Sequence, residues 1–75
     1  MTKATKLDQV IGEKIRINRI IRKRSRLWLG EKLEISEQQI RYYEIGKHRV
    51  SASCLYSIAN FLKTSINEFF PEKND

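Results

Sequence analysis

The chain has 75 residues, a formal charge of +6 at neutral pH, one cysteine and one histidine. That length fits one small domain with a limited core, and a lone Cys54 and a lone His48 exclude an internal disulfide and a Cys/His zinc set, so neither metal nor cofactor is expected. No apolar run approaches the ~18 residues of a membrane span, and the polar opening MTKATKLDQV lacks a signal-peptide core, so a cytoplasmic, nucleoid-associated chain with no membrane contact is expected.

Leu7, Val10, Ile11, Ile15, Ile20 and Ile21 recur mainly at three- and four-residue steps, which predicts a first helix from about Lys6 to Arg22. Ser25 offers an N-cap for a short second helix over Arg26 to Leu33. Ser36 and Gln39 have capping-box spacing, so a third helix starts at Glu37 and ends near Glu44 or Ile45, where Gly46 supplies a left-handed stop. Ser51 or Ser53 can cap a fourth helix carrying the stripe Leu55, Ile58, Ala59 and Leu62. Ser65 and Glu68 form another box, predicting a short fifth helix with Ile66, Phe69 and Phe70 before Pro71 stops it. Strand-like alternation is missing, so the class is all-α, with one domain over residues 1–75, a core over about 7–70, and short polar ends.

The basic charge is concentrated between residues 14 and 49, where Lys14, Arg16, Arg19, Arg22, Lys23, Arg24, Arg26, Lys32, Arg41, Lys47 and Arg49 face only four glutamates. Beyond Val50 the chain is slightly acidic. This asymmetry points to a polyanion, nucleic acid before membrane, because no segment joins basic charge to a broad apolar face. A merely solvated basic surface is the blander reading.

Two short helices joined by about three residues fit a helix-turn-helix unit. The segments IGEKIRINR, SRLWLGEKLEISEQQIRYYEIGKHRVS and LYSIANFLKTSINEFF together resemble the lambda-repressor-like, or Cro-repressor-like, helix-turn-helix family over roughly residues 10 to 70. The resemblance implies a compact five-helix DNA-binding domain whose third helix lies in the major groove. Gly30 stands where such sequences commonly have alanine, a small residue that lets helix 3 cross close to helix 2; on residue type alone, a missing Cβ is useful where another backbone approaches. Glu34 stands where the family has its turn glycine, so a charged residue must adopt left-handed geometry or the turn must change shape.

The family often pairs an arginine late in helix 1 with the glutamate that ends helix 3, which here are Arg19 and Glu44; a guanidinium can bridge two helices bidentately. Helix 3 presents Glu37, Gln38, Gln39, Arg41 and Tyr42 away from Ile40 and Tyr43. By resemblance, Glu37, Gln38 and Tyr42 match the main base-reading positions, with Gln39 and Arg41 beside them. Gln38 can meet adenine N6 and N7; Glu37 either accepts from cytosine N4 or simply complements the helix N-terminus. Phosphate contacts fall to Arg16, Arg24, Arg26, Lys47 and Arg49, with arginine at 26 replacing the family's usual glutamine. His48 reads as a solvated loop residue and Cys54 as a packing residue. Trp28 either packs locally or meets a protein partner.

The expected function is sequence-specific binding of double-stranded DNA, with a palindromic operator, by a small dimeric transcriptional regulator of repressor, phage Cro-like or restriction-modification controller type. Leu62, Ile66, Phe69 and Phe70 are the candidate dimer surface, set against the alternative that they close the monomer's own core. The rivals are an antitoxin with a toxin partner, for which Trp28 and the FFPEKND tail are the hints, and a protein-interaction module that has lost DNA readout; a polymerase contact is a further expectation. An enzyme is disfavoured, for there is no nucleophile–base pair and no phosphate-cradling glycine loop.

Overall fold

The computed structural model describes residues 5–71. Four α-helices follow in order: α1 Lys6–Ile21, α2 Arg26–Leu33, α3 Glu37–Glu44 and α4 Ala52–Phe61, with a closing 3-10 turn over Ile66–Phe69. The described residues contain no strand.

Each helix begins on a hydroxyl. Ser25, Ser36 and Ser51 accept from the backbone N–H groups of Trp28, Gln39 and Cys54 at 3.0, 3.0 and 3.1 Å. Thr5 does the same for α1 and completes a capping box in which its own N–H donates to Asp8 Oδ2 at 2.6 Å. Each of these caps satisfies a helix-end donor and is worth about 1 kcal/mol.

The predicted fifth helix is the one element that differs, since it is a single 3-10 turn rather than α-helix. Ser65 Oγ takes the N–H of Asn67 instead of that of Glu68, so the predicted box does not close. Pro71 disfavours helical geometry in the residue before it, and Phe70 is extended at φ −108° and ψ 151°. Between Ser65 and that stop there is no room for a second turn.

Ile11 and Ile15 of α1, Leu29 of α2, Ile40 of α3, Leu55, Ile58 and Ala59 of α4, Leu62 and Phe69 make one buried cluster. Burying each large side chain contributes about 1.5–3 kcal/mol. Two residues expected on a dimer surface therefore belong to the interior: Leu62 and Phe69 are fully buried, because a domain of this size uses its large apolar groups for itself. Ile66 is half-buried and Phe70 remains 40% exposed. Cys54 packs against the cluster, and burial pushes its thiol pKa up, which keeps it protonated.

Close approach of α1 to the end of α3 depends on Gly12, where a Cβ would overlap the Tyr43 carbonyl oxygen and lie 2.9 Å from that of Glu44. At the other end of the molecule, Arg22 Nη2 donates to the Lys63 carbonyl at 2.8 Å, joining the last turn of α1 to the exit of α4.

Candidate nucleic-acid interface

The turn between α2 and α3 keeps standard left-handed geometry on an unusual residue. Glu34 lies at φ 59° and ψ 40°, a conformation that costs an L-residue about 1–2 kcal/mol. The next N–H, that of Ile35, closes the turn by donating to the Gly30 carbonyl at 2.9 Å. A Cβ on Gly30 would stand 2.8 Å from the Ile35 carbonyl oxygen and 3.4 Å from the Glu37 nitrogen. The glycine thus gives clearance to the turn and the first residue of α3, rather than to the body of the crossing helix.

The far end of α3 is held by charge. Arg19 Nε and Nη2 donate to Glu44 Oε2 and Oε1 at 2.6 and 3.2 Å, and Arg26 Nε donates to Oε1 at 2.9 Å. Arg19 Nη1 also donates to the Arg24 carbonyl at 2.7 Å. Arg19 and Glu44 are 8% and 4% exposed, and the described residues leave no buried side-chain polar atom without a partner. One carboxylate therefore ties α3 to both α1 and α2. Such buried charge specifies geometry more than it adds stability, but removing one partner strands the others.

Between these fixed ends, α3 exposes Glu37, Gln38 and Arg41, while Gln39 and Tyr42 are half-buried. Lys47 Nζ sits 4.4 Å from the Tyr42 ring centroid, and the phenol pKa is held below its ordinary value, first by the neighbouring Gln38 side chain and then by the Lys47 charge. Gln39 turns sideways. Its Oε1 is 3.2 Å from His48 Nδ1, and burial raises the pKa of the neighbouring Tyr43 hydroxyl against the opposing effect of the Gln39 side chain. The predicted capping box of α3 is accordingly half made, with Ser36 in place and Gln39 engaged elsewhere.

The five cations expected at phosphates are not equivalent. Arg16 is exposed. Arg24 lies over the Trp28 ring at 4.4 Å, with Lys32 at 5.7 Å from the same ring, so the half-buried indole carries a cationic cover. Arg26 is committed through Nε to Glu44, Lys47 rests on Tyr42, and Arg49 Nε donates to Asp8 Oδ2 at 3.2 Å. Asp8 is held below its usual carboxylate range, first by the Thr5 N–H and then, against the opposing effect of burial, by the Thr5 hydroxyl and Arg49.

Three contributors escaped the sequence reading. Asp8 had a local signal, the Thr5-x-x-Asp8 spacing before an apolar run. His48 and Gly12 had none, because their roles depend on neighbours that only the folded chain supplies. No helix among the described residues is long and apolar enough to cross a membrane, and no cluster of three or more His, Cys, Asp or Glu among them could hold a metal.

No protein-family model matches the chain. An uncharacterized HTH-type transcriptional regulator of Sinorhizobium medicae is 39% identical over 70 residues, covering 93% of this chain and 50% of the relative. An uncharacterized transcriptional regulator in the ATPase CF(0) region of Rhodospirillum rubrum is 36% identical over 66 residues, 88% of this chain and 61% of that protein. The chain spans about half the length of the curated relatives it matches. Among solved structures, the restriction-modification controller protein of Aeromonas hydrophila has a TM-score of 0.78 at 21% identity, over 84% of this chain and 96% of that one. The clp gene regulator of Corynebacterium glutamicum gives 0.83 at 23% identity, over 88% and 70%. The hydroxypropylphosphonic acid epoxidase from S. wedmorenis gives 0.81 at 24% identity, with 93% of this chain matching 36% of the enzyme. At these identities the structural likeness concerns the fold alone, and the same fold occurs inside an enzyme as well as in regulators.

Proposed function

Because the chain belongs to the lambda-repressor-like helix-turn-helix family of transcriptional regulators, we propose that it binds double-stranded DNA sequence-specifically through α3, as a small dimeric regulator on a palindromic operator. The observation that carries this reading is the contrast within α3: its inner end is fixed by Glu44, while Glu37, Gln38, Arg41 and Tyr42 stand on the outer side within a basic belt. Gln38 and Tyr42, one turn apart on that side of α3, are the central base readers. Exposed Arg16 and the outer parts of Arg24, Lys47 and Arg49 supply phosphate contacts that set register without reading sequence. Arg26, 35% exposed, has a double task, since its Nε is spent on Glu44. For the second copy, Ile66 and Phe70 are what the carboxy-terminal end offers.

The deciding experiment is selection from randomised duplex DNA, followed by affinity measurements across salt concentration. A palindromic motif and a steep salt slope support the reading. Equal affinity for every sequence, or no binding at low salt, defeats it. Gln38→Ala should then cost about 1–3 kcal/mol of discrimination at one base pair, whereas a uniform loss across sequences would remove Gln38 from the readers.

An antitoxin is the second reading. It draws support from apolar side chains left exposed around the α1–α2 junction, Ile20 at 48%, Ile21 at 66% and Leu27 at 54%. Co-purification of a small toxin from its native cell would favour it.

A further inference from the structure

The half-buried histidine of the turn after α3 takes no part in that reading, yet it touches two α3 side chains. His48 Nδ1 lies 3.2 Å from Gln39 Oε1, and its ring meets the Tyr42 ring at a centroid distance of 4.7 Å with the planes 60° apart. Its backbone is fixed too, since the N–H groups of Lys47 and His48 donate to the Tyr42 carbonyl at 2.9 and 3.3 Å. Gln39 is itself half-buried on α3. Whichever ring nitrogen carries the proton, the carboxamide can answer it by turning over, so the contact survives either tautomer.

We propose that His48 is a positioning residue for base readout: anchored by Gln39, it holds the Tyr42 ring in place and sets the preference at the base pair Tyr42 meets, without touching a base. This rests on the reading that α3 enters DNA. An aromatic side chain on a helix surface otherwise samples several rotamers, and ordering one on binding weakens association by roughly two- to tenfold. The Tyr42 ring is restrained beforehand on two sides, by His48 at its edge and Lys47 over the ring. Restraint of that kind helps only the sequences on which Tyr42 makes its contact. Gln39 accordingly leaves the group of base readers, its carboxamide being used to hold the buttress.

The test uses the full chain and the duplex enriched by selection, with Tyr42→Ala identifying the base pair that Tyr42 reads. His48→Ala is expected to lose roughly two- to tenfold in affinity for the preferred duplex, to relax preference at that same pair, and to leave non-specific duplex binding and the thermal unfolding midpoint unchanged. In a Tyr42→Ala background it should have no further effect. His48→Gln, which keeps a polar partner for Gln39 but has no ring, should show the same loss and serves if the alanine variant does not fold. A uniform loss on all duplexes, or a full effect that persists without Tyr42, overturns the proposal. An enriched motif that His48→Ala leaves intact removes this inference alone; no enriched motif for the unsubstituted chain removes the DNA reading with it.

Discussion

The two sides of α3 are governed by different rules. At its inner end, Glu44 is gripped by Arg19 and Arg26, and the Tyr43 and Glu44 carbonyls press on the space left by Gly12. Its outer side carries Glu37, Gln38 and Arg41 in water, where substitution disturbs no packing. One side fixes where the helix lies, and the other supplies chemistry that can change without moving it. That division lets a single backbone carry many different outer faces, since side chains facing solvent are exchanged at little cost to the fold.

Substitutions on the inner side should break this division and those outside should sharpen it. Glu44→Ala leaves two arginines, one of them buried, without their carboxylate, and is expected to destabilise by about 3–5 kcal/mol in urea unfolding. Gly12→Ala forces α1 away from α3 and should cost about 1–3 kcal/mol, with DNA affinity falling on all sequences together as the helix is displaced. A stable Gly12→Ala variant with an unchanged sequence preference would show that α3 is less tightly placed than these distances indicate. Glu34→Gly relieves the left-handed strain but frees the unfolded chain, so a gain of up to about 1 kcal/mol is expected in the same assay.

The smallest expected effect concerns acid. The folded pKa of Asp8 is lowered, so its contribution is fully present above the unfolded value near 3.8 and is lost as pH falls through the lower folded value. Melting temperatures followed between about pH 5 and pH 2 should decline less steeply for Asp8→Asn, which begins less stable at the upper end. Equal slopes for the two chains would mean that the contacts of Asp8 with Thr5 and Arg49 together have no thermodynamic weight.

Much of the frame was legible because it rests on local chemistry. Ser25, Ser36 and Gly46 bound α2 and α3 where the sequence predicts, and the Arg19–Glu44 pair was readable from a family spacing. The fifth helix is a single 3-10 turn because Pro71 follows the Ser65 cap too closely for an α-helix to continue. Leu62 and Phe69 were ambiguous in principle, since an apolar stripe looks the same whether it faces a core or a partner. Arg26, Arg49 and His48 were underestimated for a different reason. Their partners lie 18, 41 and 9 residues away, and only the packed chain shows that a cation expected at phosphate already has a carboxylate beside it.

The brevity of the two central helices has a thermodynamic consequence. Each has eight residues, below the ~12–15 at which an isolated helix becomes even marginally stable in water. A peptide cut from 37–44 would be a coil, and so would the whole outer face of α3 in any partly unfolded form. Folding and the presentation of this face are therefore one cooperative event: the outer surface of α3 exists only while Ile40, Leu29 and Ile15 are packed together, and it vanishes with them.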